Sequence, residues 1–296
     1  MIKNKLIQRI SPYLKEWGDT GEDISLMNLT GGSINKSYRV KTKQNTYFMK
    51  VQEQTRHHFF TSETKGLKAL RETEAIKVPD VYFCHDTEKE GTPSILITEW
   101  IKEVKGKDSE RRLGENLAKL HSCSLQESYG LDYDNYIGTL NQENGWHNSW
   151  SDYYINKRIK PQLQLGVKLK TIHGRRHENL LKLMDDMKQW IPSQPEVSLL
   201  HGDLWGGNWM SDSKGEPVLI DPAILFGHSE MDLAFTELFG GYSPSFYKAY
   251  TYYRPLGQDY EDRKELYQLF YLLVHLNIFG EGYGSSVDRI LLRFQS

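Results

Sequence analysis

The run Leu199-Leu200-His201-Gly202-Asp203-Leu204-Trp205-Gly206-Gly207-Asn208-Trp209 carries an apolar strand into a glycine-rich loop. The loop holds Asp203 and, five residues on, Asn208. A second apolar strand, Val218-Leu219-Ile220, ends in Asp221, thirteen residues after Asn208. A carboxylate in such a loop can orient an attacking hydroxyl and accept its proton. An amide oxygen and a second carboxylate are hard ligands of the kind Mg2+ takes beside phosphate oxygens. The pattern His-x-Asp-Leu-x-x-x-Asn followed by an Asp therefore suits phosphoryl transfer, with Asp203 as the base and Asn208 and Asp221 for the metal. His201 reads as a brace of the loop, not as a base.

Such chemistry needs a second constellation to hold the phosphates. Thr30-Gly31-Gly32-Ser33-Ile34-Asn35-Lys36-Ser37 lies between two strand-like runs, and its small residues would let backbone N–H groups approach phosphate oxygens. Gly31, Gly32, Ser33 and Asn35 are its candidate contacts. Lys50, fifteen residues after Asn35, sits where a strand lysine would reach the α- and β-phosphates. Glu63, on the helix-like run that follows, could pair with it. Each signal alone is weak, but their order along the chain is the informative feature.

The elements that must position these residues follow from periodicity. Ile2, Leu6, Ile10, Leu14 and Trp17 recur at helical spacing, and Gly18 ends the run. Residues 24–29, 38–42 and 47–51 then read as an antiparallel meander of three strands. Residues 57–72 return to helical spacing. Two short strands, Val81-Tyr82-Phe83 and Ile95-Leu96-Ile97-Thr98, follow across a charged turn from Asp86 to Pro93. Beyond Trp100 the pattern is mainly helical, at 109–123, 148–166, 174–190 and from His228 onward. Within that part, 124–146 reads as a long loop, and Val197–Leu200 and Pro217–Ile220 as short strands. The strongest helix is expected over Tyr260–Phe279, with Leu266, Leu269, Phe270, Leu273 and Val274 on one stripe. The expected fold class is α+β: an antiparallel β-sheet plus helix over 1–100 and a mostly α-helical part over 101–296. The link would lie near Glu99–Glu103, and a cleft between two such parts favours a small-molecule site.

Composition narrows the alternatives. The 296 residues carry 37 basic and 39 acidic side chains, a net charge of −2, which gives no electrostatic case for nucleic acid. Only two cysteines occur, Cys84 and Cys123, so a disulfide framework is not expected and a cytoplasmic setting fits. The ten histidines have no thiolates near them in sequence, which argues against a zinc site. No apolar run reaches the roughly 18 residues of a membrane span, so no membrane partner is expected. The charged run Lys102–Lys107 reads as a solvated link. Trp146, Trp150, Tyr153 and Tyr154 lie at roughly helical spacing, which suits core packing. Alternatively Trp146 and Trp150, with Trp205, wall an acceptor site, because aromatic faces suit sugar rings and cations.

The sequence resembles the fructosamine kinase (ketosamine kinase) family, within the aminoglycoside-phosphotransferase-like kinases. The pieces that carry the resemblance run in family order over nearly the whole chain. They are GGSIN at 31–35, FMKV at 48–51, the Glu63 helix, LITEWI at 96–101, LAKLHS at 117–122, YGLDYDNYIGT at 129–139, NGWHNSW at 144–150, HGDLWGGNW at 201–209, LIDPA at 219–223, GHSEMDLA at 227–234 and LLVHLNIFGEGY at 272–283. The resemblance implies a two-lobed protein-kinase-like fold using ATP and Mg2+. It implies phosphorylation of the 3-hydroxyl of a ketoamine, of ribulosamine or fructosamine type, free or on protein lysines. Phosphorylation makes the adduct labile and frees the amine. It further implies that Glu99, Trp100 and Ile101 offer backbone groups to adenine, and that Asp232 braces the catalytic loop.

Some features depart from kinase patterns. Pro222-Ala223, not Phe-Gly, follows Asp221, and no Ala-Pro-Glu segment comes after it, which argues against a protein kinase. Ser33 stands where many relatives carry Cys, so thiol control at that position is not expected. Two other functions remain open from sequence: a kinase of another amino-bearing alcohol, such as an aminoglycoside or choline, and a non-catalytic nucleotide-binding regulator.

Overall fold

The computed structural model describes residues 2–30, 34–89, 91–104, 106–123 and 126–295. Helix α1 (Ile2–Glu16) leads into a meander of β1 (Ser25–Leu29), β2 (Lys36–Lys41) and β3 (Thr46–Gln52). Helix α2 (Phe59–Glu72), β4 (Val81–His85) and β5 (Ser94–Glu99) follow. The five strands form one antiparallel sheet in the order β1-β2-β3-β5-β4. Period-two alternation divides the work of β3. Tyr47, Met49 and Val51 join Leu6, Ile10 and Leu14 of α1 in one apolar cluster. Phe48 and Lys50 face the other way, into a cavity. Strand β5 divides similarly: Ile95 and Ile97 enter that cluster, while Leu96 packs with Phe59 and Phe60 of α2.

The start of α2 is fixed from outside the helix. The amides of Phe60 and Thr61 donate to the two carboxylate oxygens of Asp86, at 3.0 and 2.8 Å. These amides have no partner within a helix, so the aspartate satisfies them and its charge suits the N-terminus. One turn past Glu63, a Cβ on Gly66 would lie 3.2 Å from the Pro222 ring. Glycine there lets α2 come close to the segment that carries Asp221.

The rest of the chain is mainly helical. Helix α3 (Ser109–His121) precedes the segment read as a long loop, and that segment contains a hairpin of β6 (Asn135–Ile137) and β7 (Leu140–Gln142). The turn residues there masked the pairing in the sequence. Helices α4 (Trp150–Tyr153) and α5 (Lys160–Leu169) are joined without a break by a π-helical stretch, Tyr154–Ile159. Helix α6 (Gly174–Asp186) ends in a short 3-10 turn. Strands β8 (Val197–Leu200), β9 (Trp209–Ser211), β10 (Pro217–Leu219) and β11 (Leu225–His228) make two antiparallel pairs, β8 with β11 and, between them in the chain, the hairpin of β9 with β10. The short strands β9 and β11 were not legible from periodicity.

Helices α7 (Glu230–Thr236), α8 (Pro244–Tyr253), α9 (Tyr260–Phe279) and α10 (Gly284–Arg293) complete the chain. A Cβ on Gly114 of α3 would lie 2.3 Å from the Phe246 carbonyl of α8, so glycine permits their close crossing. Helix α9 is buried on most of its circumference, from Leu266 through Leu276, and not along a single stripe. It is the central rod of the largest apolar cluster, with Trp150, Tyr154, Phe235 and Val287 around it. Among the described residues no helix is long and apolar enough to cross a membrane.

Candidate active site

Strand β8 delivers the chain into the motif loop, and the loop's shape is set by buried polar groups. The amides of His201 and Gly202 donate to the two oxygens of Asp232, at 2.7 and 2.9 Å. His121 of α3 bonds the same carboxylate through Nε2 at 3.2 Å and meets the Tyr250 hydroxyl through Nδ1 at 2.9 Å. Asp232 is wholly buried, so these donors replace the water its charge would otherwise need. From below, the Tyr271 hydroxyl of α9 donates to the Gly202 carbonyl at 3.1 Å. Gly202 has φ +81°, and a Cβ there would lie 2.0 Å from the Ala223 carbonyl oxygen. Only glycine fits that corner.

His201 is a brace, and its tautomer follows from its partners. Its Nδ1 faces the Asp203 amide at 3.2 Å and must accept. Its Nε2 therefore carries the hydrogen and donates to the Ile220 carbonyl at 2.9 Å. Burial lowers the pKa of this imidazole, consistent with a neutral ring. The ring thereby ties the Asp203 loop to the segment that ends in Asp221.

Asn208 directs its amide nitrogen at the Asp203 carbonyl (2.7 Å) and at Asp203 Oδ2 (2.9 Å). That orients the carboxylate and leaves Asn208 Oδ1 free of those contacts. Burial raises the Asp203 pKa well above the ordinary carboxylate range; Asn208 opposes the shift, while Asp221 and Asp232 add to it. A carboxyl moved upward in this way is a better proton acceptor near neutral pH.

Asp221 takes φ +56°, a left-handed conformation that aspartate tolerates better than most residues. Its Oδ1 lies 2.6 Å from Lys50 Nζ, and Glu63 Oε1 lies 2.8 Å from the same nitrogen. Residues from β3, α2 and the end of the β10 segment thus converge on one ammonium. Burial works against the Lys50 charge, but the two carboxylates outweigh it and its pKa is raised. The Glu63 carboxyl is also raised, because its burial and the nearby Asp221 charge exceed the attraction of a single lysine.

The donor set fits a divalent cation. One lysine faces Glu63, Asp221 and Asp203, so polyphosphate would meet a surplus of negative charge without a cation beside it. Asp221 and Asn208 would supply the few hard oxygens that Mg2+ takes from protein, the rest of its shell coming from phosphate and water. A cavity of about 300 Å³ opens beside Lys50. Leu29, Phe48, Leu67, Met210 and Ile220 form its apolar walls, and Glu99, Trp100 and Ile101 line one side. A larger cavity, about 610 Å³, is lined by His228, Glu230, Arg254 and Arg263, and by no residue of the motif. It lies at the far end of the β8–β11 pair, so the smaller cavity is the one the chemistry adjoins.

The other expected residues divide. Gly31, Gly32 and Ser33 lie outside the described residues. Asn35 accepts from Gln52 at 2.9 Å and does not line the cavity. Trp205 is 42% exposed on the motif loop, its ring folded over Gly207. Trp146 is also exposed and packs on Phe226. Trp150 corrects the expectation of an acceptor wall. It has no exposed surface, and its indole N–H donates to the Tyr267 hydroxyl at 2.9 Å, so it is a core residue. Sequence reasoning missed His121 and Tyr271 as loop braces. Their only signal was a polar group amid helical apolar runs.

Comparison with known proteins places the chain among relatives. A family model described as fructosamine kinase matches residues 7–295. A protein of Enterococcus faecium named probable ketoamine kinase is 39% identical over 267 residues, covering 90% of this chain and 94% of that protein. The chloroplastic protein-ribulosamine 3-kinase of Arabidopsis thaliana is 32% identical over 286 residues, covering 94% of this chain and 86% of that protein. A crystal structure of a protein assigned as a fructosamine-3-kinase, from Haemophilus somnus, superposes with a TM-score of 0.87 at 29% identity, over 97% of each chain.

Proposed function

The chain belongs to the fructosamine kinase family, and on that premise we propose that it transfers the γ-phosphoryl group of ATP to the 3-hydroxyl of a ketoamine. The observation that carries this reading is the meeting of two ion and hydrogen-bond sets. Lys50 holds Glu63 and Asp221 on one side, and Asp203 is oriented by Asn208 on the other.

The roles follow from position. Asp203 orients the acceptor hydroxyl and takes its proton as the oxygen bonds to the γ-phosphorus and the bond to the β-phosphate oxygen breaks, releasing ADP. Lys50 contacts the α- and β-phosphates, steadied by Glu63. Asn208 and Asp221 would hold Mg2+, whose charge would neutralise the phosphate oxygens. The purine occupies the cavity beside Glu99, Trp100 and Ile101, and Gly31, Gly32, Ser33 and Asn35 are the proposed phosphate contacts. His201 and Asp232 keep the loop in shape. Trp205 and Trp146 stand exposed for the acceptor. The lobes divide near residue 100, with 1–100 binding nucleotide and 101–296 carrying catalysis and the acceptor. The cytoplasm is the proposed location.

The test is Mg2+-dependent ADP release measured with and without a ribulose-lysine or fructose-lysine adduct. Release that rises on adding the adduct, and disappears in Asp221→Ala, is expected. Release that ignores the adduct would overturn the reading.

A further inference from the structure

The cavity of about 610 Å³ contains none of the residues assigned to phosphoryl transfer. Val197 pairs with His228 at its edge, while Leu200, three strand steps or roughly 10 Å away, feeds the motif loop. Two guanidiniums line the cavity, Arg254 and Arg263, with side chains only 13% and 11% exposed. Charges so far from water need partners, and these two find partners of different kinds. Arg263 is clamped by the buried carboxylate of Glu230, through Nε at 2.6 Å and Nη2 at 2.8 Å. Arg254 bonds the hydroxyls of Ser122, Ser198 and Ser229, each at 3.2 Å. Its carboxylate partner among the described residues is Glu196, at 3.1 Å. Glu196 is 62% exposed, so that pair is a rim contact of small worth, and the carboxylate is free to leave for water.

His228, next to Ser229 in the chain, presents an unused donor to the same cavity. The Trp150 indole N–H donates to the Tyr267 hydroxyl at 2.9 Å, and that hydroxyl lies 2.8 Å from His228 Nδ1. The indole can only donate, and the hydroxyl's own hydrogen has no other acceptor among the described residues, so it goes to Nδ1. The imidazole hydrogen is therefore on Nε2, fixed there by two wholly buried side chains. Among the described residues this Nε2–H has no hydrogen-bond partner. Glu230 Oε1 is 3.8 Å away, beyond hydrogen-bond reach, and is already bonded to Arg263. Burial and the guanidiniums of Arg263 and Arg254 lower the imidazole pKa to about 3, so the ring stays a neutral donor.

An unpaired N–H beside a guanidinium whose carboxylate can be displaced calls for an anionic oxygen. Tyr253, Pro255 and Leu256 supply apolar wall, which suits a molecule with a carbon body.

We propose that this cavity binds a small organic anion, whose carboxylate or phosphate oxygens accept from His228 Nε2–H and replace Glu196 on Arg254. The site lies outside the nucleotide cavity and does not depend on the ketoamine reading.

Isothermal titration calorimetry on the full chain tests it, with ADP and Mg2+ saturating so that the phosphate subsites of the cleft are filled. The probes are succinate and glycerol 3-phosphate, with sodium chloride at matched ionic strength as the blank. Saturable binding of at least one probe is expected; succinate alone assigns a carboxylate ligand, and glycerol 3-phosphate alone a phosphate ester. His228→Leu removes the donor and is expected to weaken that binding about tenfold. His228→Gln keeps an N–H near the same place and is expected to stay within about threefold of wild type. Arg254→Gln removes the charge and is expected to abolish saturable binding. Tm and KM for ATP check that each variant is folded, and if His228→Leu does not fold, Arg254→Gln decides alone. No saturable heat from either probe in the wild type, or binding that these two substitutions leave unchanged, would overturn the proposal.

Discussion

Asp203 is a group whose usefulness costs stability. Its pKa is raised by burial, so the folded protein holds this proton more tightly than the unfolded chain does. Its contribution is therefore fully present below the unfolded value, about 4, and is lost as pH rises through the raised folded value. Asp203→Asn removes that penalty and keeps an oxygen that can accept from Asn208. The variant is expected to lose kcat by ~10²–10⁴, to retain ATP binding, and to melt above the wild type by a margin that widens from pH 4 upward. Thermal melts across pH, paired with turnover, check both parts. A variant with near-normal turnover would remove Asp203 from the role of base. At this same scale the sequence was legible where residue type and spacing were jointly constrained, as at Asp203, Asn208, Asp221 and Lys50. It was ambiguous at Trp150, because an aromatic residue at helical spacing serves a core or a pocket equally well, and only its complete burial decides.

Among the elements, the motif loop is a rigid object held from four directions. Asp232 of α7 takes its amides, Tyr271 of α9 its carbonyl, His121 of α3 the same aspartate, and Ala223 bonds the His201 carbonyl at 2.9 Å. Asp232→Asn would turn an NH2 group toward backbone N–H donors at a wholly buried position. A loss of about 3 kcal/mol in unfolding free energy is expected, with turnover falling more than ATP affinity, and chemical denaturation alongside steady-state kinetics measures it. A loss under about 0.5 kcal/mol would mean the brace is dispensable. Strands β1 to β5 were visible from alternation because one face meets α1 and the other meets the cavity or α2. Strands β6, β7, β9 and β11 were not, since each has only three or four residues and mixes polar or glycine positions with apolar ones, without the apolar run that marked β8 and β10.

For the whole molecule, the sheet-bearing part and the helical part share a buried ammonium as well as an apolar seam. Lys50 of β3 is separated by 171 positions from Asp221, yet they lie 2.6 Å apart. The order of weak signals along the chain anticipated that meeting. The central claim is that this assembled cleft serves a ketoamine and not merely some alcohol. The most direct measurement is kcat/KM for ribulose-lysine, fructose-lysine, choline and kanamycin under identical ATP and Mg2+. The account predicts that the ketoamines exceed choline and kanamycin, with ribulose-lysine ahead of fructose-lysine. A higher value for choline or kanamycin than for both ketoamines would contradict it.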